Sequence, residues 1–290
     1  MRIRRVTRAP RAVTGIKRQF SLKDQVALVV GGRGLLGRRF CAALAESAAT
    51  VYAADLGVTS RAAAAEPAAR APKGVLQRTV DATKPESVRH LIDEIVAERS
   101  KLDILVYSVT AKPHDFYLPF TECSLEGWQQ LLRAELDGLF VVAQQAGRVM
   151  ERAKHGSMIF LSSIYGVVGN DQRIYEGSNL AQLYAGTGNG PKRAYSHAGY
   201  AAAKGGVIAL TKFLAAYWGR HGIRVNCISP GGIGHPGENE AFVSRYNQRV
   251  PLGRKAGLDD VSGAVVYLAS PASSYVTGHN LVVDGGWTIW

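Results

Sequence analysis

An apolar run, QVALVV at residues 25–30, stops at a glycine-rich turn, GGRGLLG from Gly31 to Gly37, and a helical pattern opens at Leu35 and runs through RRFCAALAESA. Strand, tight turn and helix in that order place a chain in the parallel α/β class, because such a strand meets its parallel neighbour only through a crossover. Residues without a Cβ at this turn let backbone N–H groups and a helix N-terminus come close to a pyrophosphate. The next run, TVYAAD, ends in Asp55, 24 residues after Gly31, near the spacing at which an acid accepts hydrogen bonds from an adenosine ribose. Further apolar runs follow at VLQRTV (75–80), LDILVY (102–107), SMIFLS (157–162), IRVNCIS (223–229) and NLVVD (280–284), with helical stretches between them. Seven strands joined by helices predict a doubly wound, seven-stranded parallel sheet with helices on both faces and a site beyond the carboxyl ends of the strands.

The 290 residues, 47% of them hydrophobic, suffice for one large α/β domain, expected over residues 23–290. Net charge is +12, but seven Arg or Lys and no acid fall within residues 1–20, and removing those seven leaves +5 for the rest. Residues 1–22 are therefore read as a basic, disordered arm; contact with an acidic surface or nucleic acid, and a transit peptide, are the alternatives. The arm lacks interleaved aromatics except Phe20, so base stacking has no support and no nucleic-acid partner is expected. Cys41, Cys123 and Cys227 are scattered without metal-ligand or disulfide spacing, which suits a reducing, cytoplasmic setting and no metal. No apolar run approaches the roughly 20 residues that span a bilayer, so no membrane partner is expected.

Tyr200 and Lys204, in GYAAAKGG, stand four residues apart, just over one helical turn, so both side chains leave the same face of a helix. An ammonium beside a phenol lowers the phenol's pKa and makes it a usable proton donor or acceptor near neutral pH. With the serine pair Ser162 and Ser163 upstream, these residues supply a base, an alkoxide stabiliser and a cation, which is what hydride transfer between a carbinol and nicotinamide asks of a protein.

The chain resembles the short-chain dehydrogenase/reductase family over roughly residues 23–290. The resemblance rests on the glycine turn, Asp81 in VDATKPESV, Ser163 in SSIYG, Tyr200 and Lys204 in YAAAK, IRVNCISPGG, and SSYVTGHNLVVDGGW near the C-terminus. It implies a Rossmann fold and an oxidoreductase in which Tyr200 is the general acid/base, Lys204 holds the nicotinamide ribose and lowers the Tyr pKa, and Ser163, rather than Ser162, hydrogen-bonds the reacting oxygen. It implies cofactor contacts from Gly31, Arg33, Gly34, Leu36, Gly37, Asp55, Asp81, Tyr200, Lys204, Pro230, Gly231 and Ile233. A homo-oligomer, dimer or tetramer, is the family tendency. Asp55 argues for NAD, since a carboxylate repels a 2′-phosphate, whereas Arg33 could reach such a phosphate and argues for NADP.

Three features depart from the family pattern, at six positions. Its NNAG appears here as Tyr107, Ser108, Val109 and Thr110; Leu35 stands where the main branch has its second glycine, although Gly31, Gly34 and Gly37 fit a GxxGxxG variant; and Glu135 replaces the active-site Asn. Glu135 joins Ser163, Tyr200 and Lys204 in the candidate catalytic set, as a group that could keep the Asn's water in place. The alternative is that Glu135 is a bystander on a helix surface and that the chain is a cofactor-binding pseudoenzyme or scaffold.

Ser163 and Tyr200 are 37 residues apart, about three times the separation in the family pattern, so an insertion runs from about residue 169 to 199. Its content of Gly, Asn, Gln, Tyr and charges suits a polar wall over the site, with Asp171, Arg173, Tyr175 and Glu176 as candidate substrate contacts; a tolerated surface loop is the alternative. RIYEGSN, FVSRYNQRVPLGR and the C-terminal motif look like a subgroup associated with bacterial surface-sugar and flagellin-glycan (nonulosonate) pathways. That finer resemblance implies a small polar substrate, a sugar or sugar acid.

Overall fold

In the computed structural model, which describes residues 15–57, 74–185 and 193–290, each apolar run of the sequence becomes a strand. They are β1 (Val26–Val30), β2 (Thr50–Asp55), β3 (Val75–Thr79), β4 (Ile104–Tyr107), β5 (Gly156–Leu161), β6 (Ile223–Pro230) and β7 (Asn280–Val283). They pair in parallel in the order β3-β2-β1-β4-β5-β6-β7. The chain moves outward from β1 to β3, then returns to lay β4 on the other side of β1. The strand order reverses there, which opens the crevice in which such sheets bind ligands.

The helices are α1 (Ile16–Gln19), α2 (Leu35–Glu46), α3 (Pro85–Arg99), α4 (Leu125–Leu132), α5 (Gly138–Ala153), α6 (Leu180–Ala185), α7 (Ala198–Trp218), α8 (Glu240–Gln248) and α9 (Asp259–Ala269). Because side chains alternate across a strand, β1 sends Leu28 and Val30 to one face and Ala27 and Val29 to the other. The first face packs on Ile92 and Ile95 of α3, Leu139 and Val142 of α5 and Val207 of α7; the second packs on Phe40 and Leu44 of α2 and Val261 and Val265 of α9. Complete burial of each large aliphatic or aromatic side chain is worth about 1.5–3 kcal/mol, so the two faces together fix the sheet. No helix among the described residues is long and apolar enough to cross a membrane.

A third apolar cluster sits over the carboxyl ends of β5 and β6. It joins Ile164 after β5, Ile174, Tyr175 and Leu180 from the insertion, Phe242 and Tyr246 of α8, and Trp287 near the C-terminus. This corrects the expectation of a polar wall in part: among the described residues Ile174 and Leu180 face inward beside the Tyr175 and Ser196 hydroxyls, while the charges pair at the rim. Asp171 accepts from Arg173 at 2.9 Å and from Arg249 at 2.6 Å, and Arg193 donates to Glu176 at 2.8 Å.

The folded body also begins earlier than residue 23. Leu22 is fully buried against the α2 and α9 side of the sheet, its N–H donates to the Ser47 carbonyl at 2.8 Å, and the Phe20 ring lies 6.4 Å from that of Tyr267. The apolar residues at the end of the basic segment explain the difference, since they have core surface to cover. Residues 1–14 of the expected arm lie outside the described residues.

Candidate active site

The glycine turn closes tightly because Gly31 adopts φ +82° and passes over the end of β4, where a Cβ would lie 2.5 Å from the Ser108 carbonyl oxygen. At Gly37, in the first turn of α2, a Cβ would collide with the Gly31 carbonyl. Gly34 caps α2 without a side-chain hydrogen bond, and no acid occupies that helix's first turn. The positive end of that helix is thus left for an anion, as a dinucleotide pyrophosphate requires. Asp55, at the end of β2, accepts the Arg33 N–H at 3.0 Å and the Leu56 N–H at 2.9 Å. The Arg33 guanidinium lies along the same edge, its Nε donating to Gln77 Oε1 at 3.4 Å and its Nη1 to the Leu56 carbonyl at 3.5 Å. Asp81 follows β3 and accepts from the Thr83 N–H at 3.0 Å and hydroxyl at 2.7 Å. Burial would raise its pKa, but Thr83 and Lys84 outweigh that and lower it. These residues fit a nicotinamide dinucleotide.

Tyr200 and Lys204 lie in the first two turns of α7, whose cap is His197: its Nδ1 accepts the Gly199 N–H at 2.9 Å. The Lys204 ammonium is buried, donates to the Leu161 carbonyl at 2.9 Å, lies 3.0 Å from Glu135 Oε2 and sits 5.4 Å from the centre of the Tyr200 ring. The two serines diverge at the end of β5. Ser162 donates to the Lys204 carbonyl at 2.8 Å and ties strand to helix, while the Ser163 oxygen accepts the Tyr165 N–H at 3.2 Å and its side chain stands near enough to the Tyr200 hydroxyl to lower the phenol's pKa.

Glu135 is 1% exposed and stands on a π-helical turn, Arg133–Asp137, between α4 and α5. Such turns recur at functional sites because the extra residue re-aims the side chains around it. The position is buried and paired, so the surface-bystander alternative fails. Thr110 donates its hydroxyl to Glu135 Oε1 at 2.5 Å, and the Tyr107 hydroxyl donates to the adjacent Ala134 carbonyl. Burial raises the Tyr200 pKa, Lys204 pulls it down, and Glu135 pushes it up again; the net direction is upward. For Lys204, burial lowers the pKa but Glu135 and Tyr200 outweigh it, so the ammonium is held charged.

A cavity of about 310 Å³ opens over Ser163, Tyr200 and Lys204. Leu36, Pro230, Gly231 and Ile233 close the side toward the glycine turn, and Phe116, Tyr165, Tyr175 and Phe242 form the far wall. Of the insertion residues singled out in sequence, Tyr175 reaches the cavity, whereas Asp171, Arg173 and Glu176 form the rim pairs. Two arrangements lie outside the sequence reading. Glu238 lines the cavity and is gripped by Lys255 at 2.5 and 2.6 Å, the ammonium lying 4.6 Å from the Phe242 ring centre. Asp115 and His197, both 1% exposed, approach to 3.8 Å, and the Phe116 ring stacks on His197 while meeting Tyr200 edge-on. A cap-competent residue just before the YAAAK helix was the one hint of the second.

Comparison with known proteins gives one picture. A family model described as short chain dehydrogenase matches residues 25–181, and one described as enoyl-(acyl carrier protein) reductase matches residues 184–288. A D-threitol dehydrogenase of Mycolicibacterium smegmatis is 32% identical over 277 residues, covering 93% of this chain and 95% of that protein. A 2-dehydro-3-deoxy-D-gluconate 5-dehydrogenase of Bacillus subtilis is 32% identical over 277 residues, covering 92% and 96%. Among solved structures, a gluconate 5-dehydrogenase from Burkholderia cenocepacia in complex with NADP and tartrate superposes with a TM-score of 0.77 at 28% identity, covering 94% of this chain and 99% of the other. A short chain dehydrogenase from Leptospira borgpetersenii with bound NAD+ gives 0.78 at 28% identity, covering 97% and 99%.

Proposed function

The chain belongs to the short chain dehydrogenase family of nicotinamide-dependent oxidoreductases, and we propose that it interconverts a carbinol and a carbonyl on a small polyhydroxylated molecule, a sugar alcohol, sugar or sugar acid. The observation that carries this reading is the buried chain Glu135–Lys204–Tyr200–Ser163 opening onto the cavity. When bound, the nicotinamide accepts or donates the hydride. In the oxidising direction Tyr200 takes the hydroxyl proton, the Ser163 hydroxyl steadies the reacting oxygen, and the Lys204 ammonium stabilises the phenolate. Glu135 keeps Lys204 charged and oriented and can accept a proton passed along that chain. In reduction Tyr200 returns the proton to the oxygen.

Gly31, Arg33, Gly34, Leu36, Gly37, Asp55 and Asp81 would hold the adenosine and pyrophosphate parts of the cofactor, and Pro230, Gly231 and Ile233 the nicotinamide side. The Asp55 carboxylate favours NAD, its negative charge facing the ribose edge; Arg33 on that edge is the counter-argument. The names of relatives that act on threitol and deoxygluconate support a sugar-type substrate. The surface-sugar subgroup resemblance is a narrower version of the same proposal. Exposed Phe140 on α5, with Phe213 and Tyr217 stacked at 6.3 Å on α7, supports a homo-oligomer built through these helices. The test is NADH absorbance with a panel of sugar alcohols, keto-sugars and sugar acids. Turnover of polyhydroxylated members is expected, and inertness toward all of them would overturn the reading.

A further inference from the structure

The insertion and the stretch after β5 share a line of hydroxyl groups that ends inside the cavity. The Tyr175 hydroxyl donates to that of Tyr165 at 2.8 Å, the Ser196 side chain lies near enough to Tyr175 to lower its pKa, and the Asn170 amide donates to the Ser196 hydroxyl. Gln172 fixes the far end, its Oε1 accepting the Ser196 N–H at 2.9 Å. Because the Tyr175 hydroxyl donates to the Tyr165 oxygen, the Tyr165 proton is left for the cavity. Tyr165, Tyr175, Ser196 and Tyr200 all line that cavity, and Tyr165 lies close enough to Tyr200 for the two phenols to interact electrostatically. The neighbours of Tyr165 and Tyr175 in their own cluster, Ile164, Leu180 and Phe242, are apolar and line the same cavity.

We propose that Tyr165 is a specificity-determining residue that donates a hydrogen bond to a second substrate oxygen beside the reacting one, and that Tyr175, carried by the insertion, positions it. The inference rests on the proposed reaction at Tyr200 and narrows its substrate to molecules with vicinal oxygens. A polar group set in an apolar wall rejects a substrate without the matching oxygen more strongly than an apolar pocket rejects an extra hydroxyl, because the unmatched donor stays buried and unpaired.

The experiment measures kcat/KM for threitol, butane-2,3-diol and butan-2-ol in the parent, Tyr165→Phe and Tyr175→Phe enzymes, together with cofactor KM. The parent is expected to prefer the two hydroxylated probes to butan-2-ol by about tenfold or more. Tyr165→Phe should remove most of that preference by slowing the hydroxylated probes while leaving butan-2-ol and cofactor KM unchanged, and Tyr175→Phe should remove a smaller part. A parent that shows the preference and a Tyr165→Phe enzyme that keeps it would overturn this inference and leave the proposed reaction standing. A parent that turns over butan-2-ol as well as the hydroxylated probes, or none of the three, overturns the proposed substrate class and this inference with it.

Discussion

Thr110 and Glu135 hold each other: the Thr110 hydroxyl donates to Glu135 Oε1 at 2.5 Å, which leaves Oε2 facing the Lys204 ammonium at 3.0 Å. Both residues stand where the family pattern has others, a glycine and an asparagine. Sequence shows them as two separate losses, 25 residues apart, and the fold makes them one pair. A carboxylate in a buried site needs partners for both oxygens, and here it has a hydroxyl for one and a cation for the other. The departures are therefore a coherent alternative arrangement around Lys204, which argues against the pseudoenzyme reading, as do the named dehydrogenases among its relatives.

Tyr200→Phe removes only the hydroxyl that exchanges the proton and that faces Ser163 and Lys204. Turnover should fall by about 10²- to 10⁴-fold, the usual worth of a positioned acid or base, while NADH binding followed by fluorescence stays near the parent value. Retention of most of the activity would remove Tyr200 from the proton-transferring role.

Asp55 accepts two backbone N–H groups at the cofactor edge, and the Arg33 guanidinium lies along the same edge. Asp55→Ala removes the charge that would repel a 2′-phosphate and leaves the guanidinium that could pair with one. The ratio of kcat/KM for NAD over NADP should fall by about tenfold or more, the worth of one charged contact. A parent enzyme that already prefers NADP would show that Arg33 dominates the edge.

Much of this was readable before the fold. All seven strands follow from apolar runs, five of them ended by Gly, Asp or Pro, and the cofactor turn from glycine spacing, because those signals are local. Ser163 over Ser162 was readable only through kinship; the physical reason, that Ser162 is used up on the Lys204 carbonyl, needs the packing of β5 against α7. The Glu238–Lys255 and Asp115–His197 pairs were not readable, since each joins loops 17 and 82 residues apart with no pattern between them. The insertion was readable in part for a related reason: its polar composition describes the rim and the Tyr175 and Ser196 hydroxyls, and a few apolar residues, Ile174 and Leu180 with the Tyr175 ring, decide which way it faces.

The rim itself is testable through acid. Arg173 first, and Arg249 of the segment after α8, hold the Asp171 carboxyl down to about 2 from an ordinary value of 3.8. A depressed folded-state pKa gives stability that is complete above the unfolded value and is lost as pH falls through the folded one. The stability difference between the parent and Asp171→Asn, from urea unfolding, should be constant above about pH 5 and narrow between about 4 and 2. A difference that stays constant through that window would show that the Asp171 clasp adds nothing to the stability of the inserted segment. As a partly exposed pair it is expected to matter modestly, raising substrate KM by about two- to fivefold.

The pH profile of the reaction reports on Glu135. Its carboxylate raises the pKa of Tyr200 and also of Lys204, so removing the charge lowers both. In the oxidising direction Tyr200 acts as the base, and activity rises as the phenol ionises, so a lower phenol pKa moves the rising limb of kcat/KM toward lower pH. Glu135→Asn keeps hydrogen-bonding groups beside Thr110 and Lys204 and should preserve turnover with that acid-side shift. Glu135→Ala leaves the buried ammonium with the Leu161 carbonyl and no counter-charge, and activity should fall while cofactor affinity holds. Thr110→Gly, which frees Glu135 Oε1, should lower activity in the parent background by a few-fold and have little effect in the Glu135→Asn background, because the hydroxyl's work is to hold the carboxylate. A double-mutant cycle with pH profiles for all four enzymes reads this coupling directly. Additive effects and superimposable profiles would show that Thr110 and Glu135 act independently and outside the proton path.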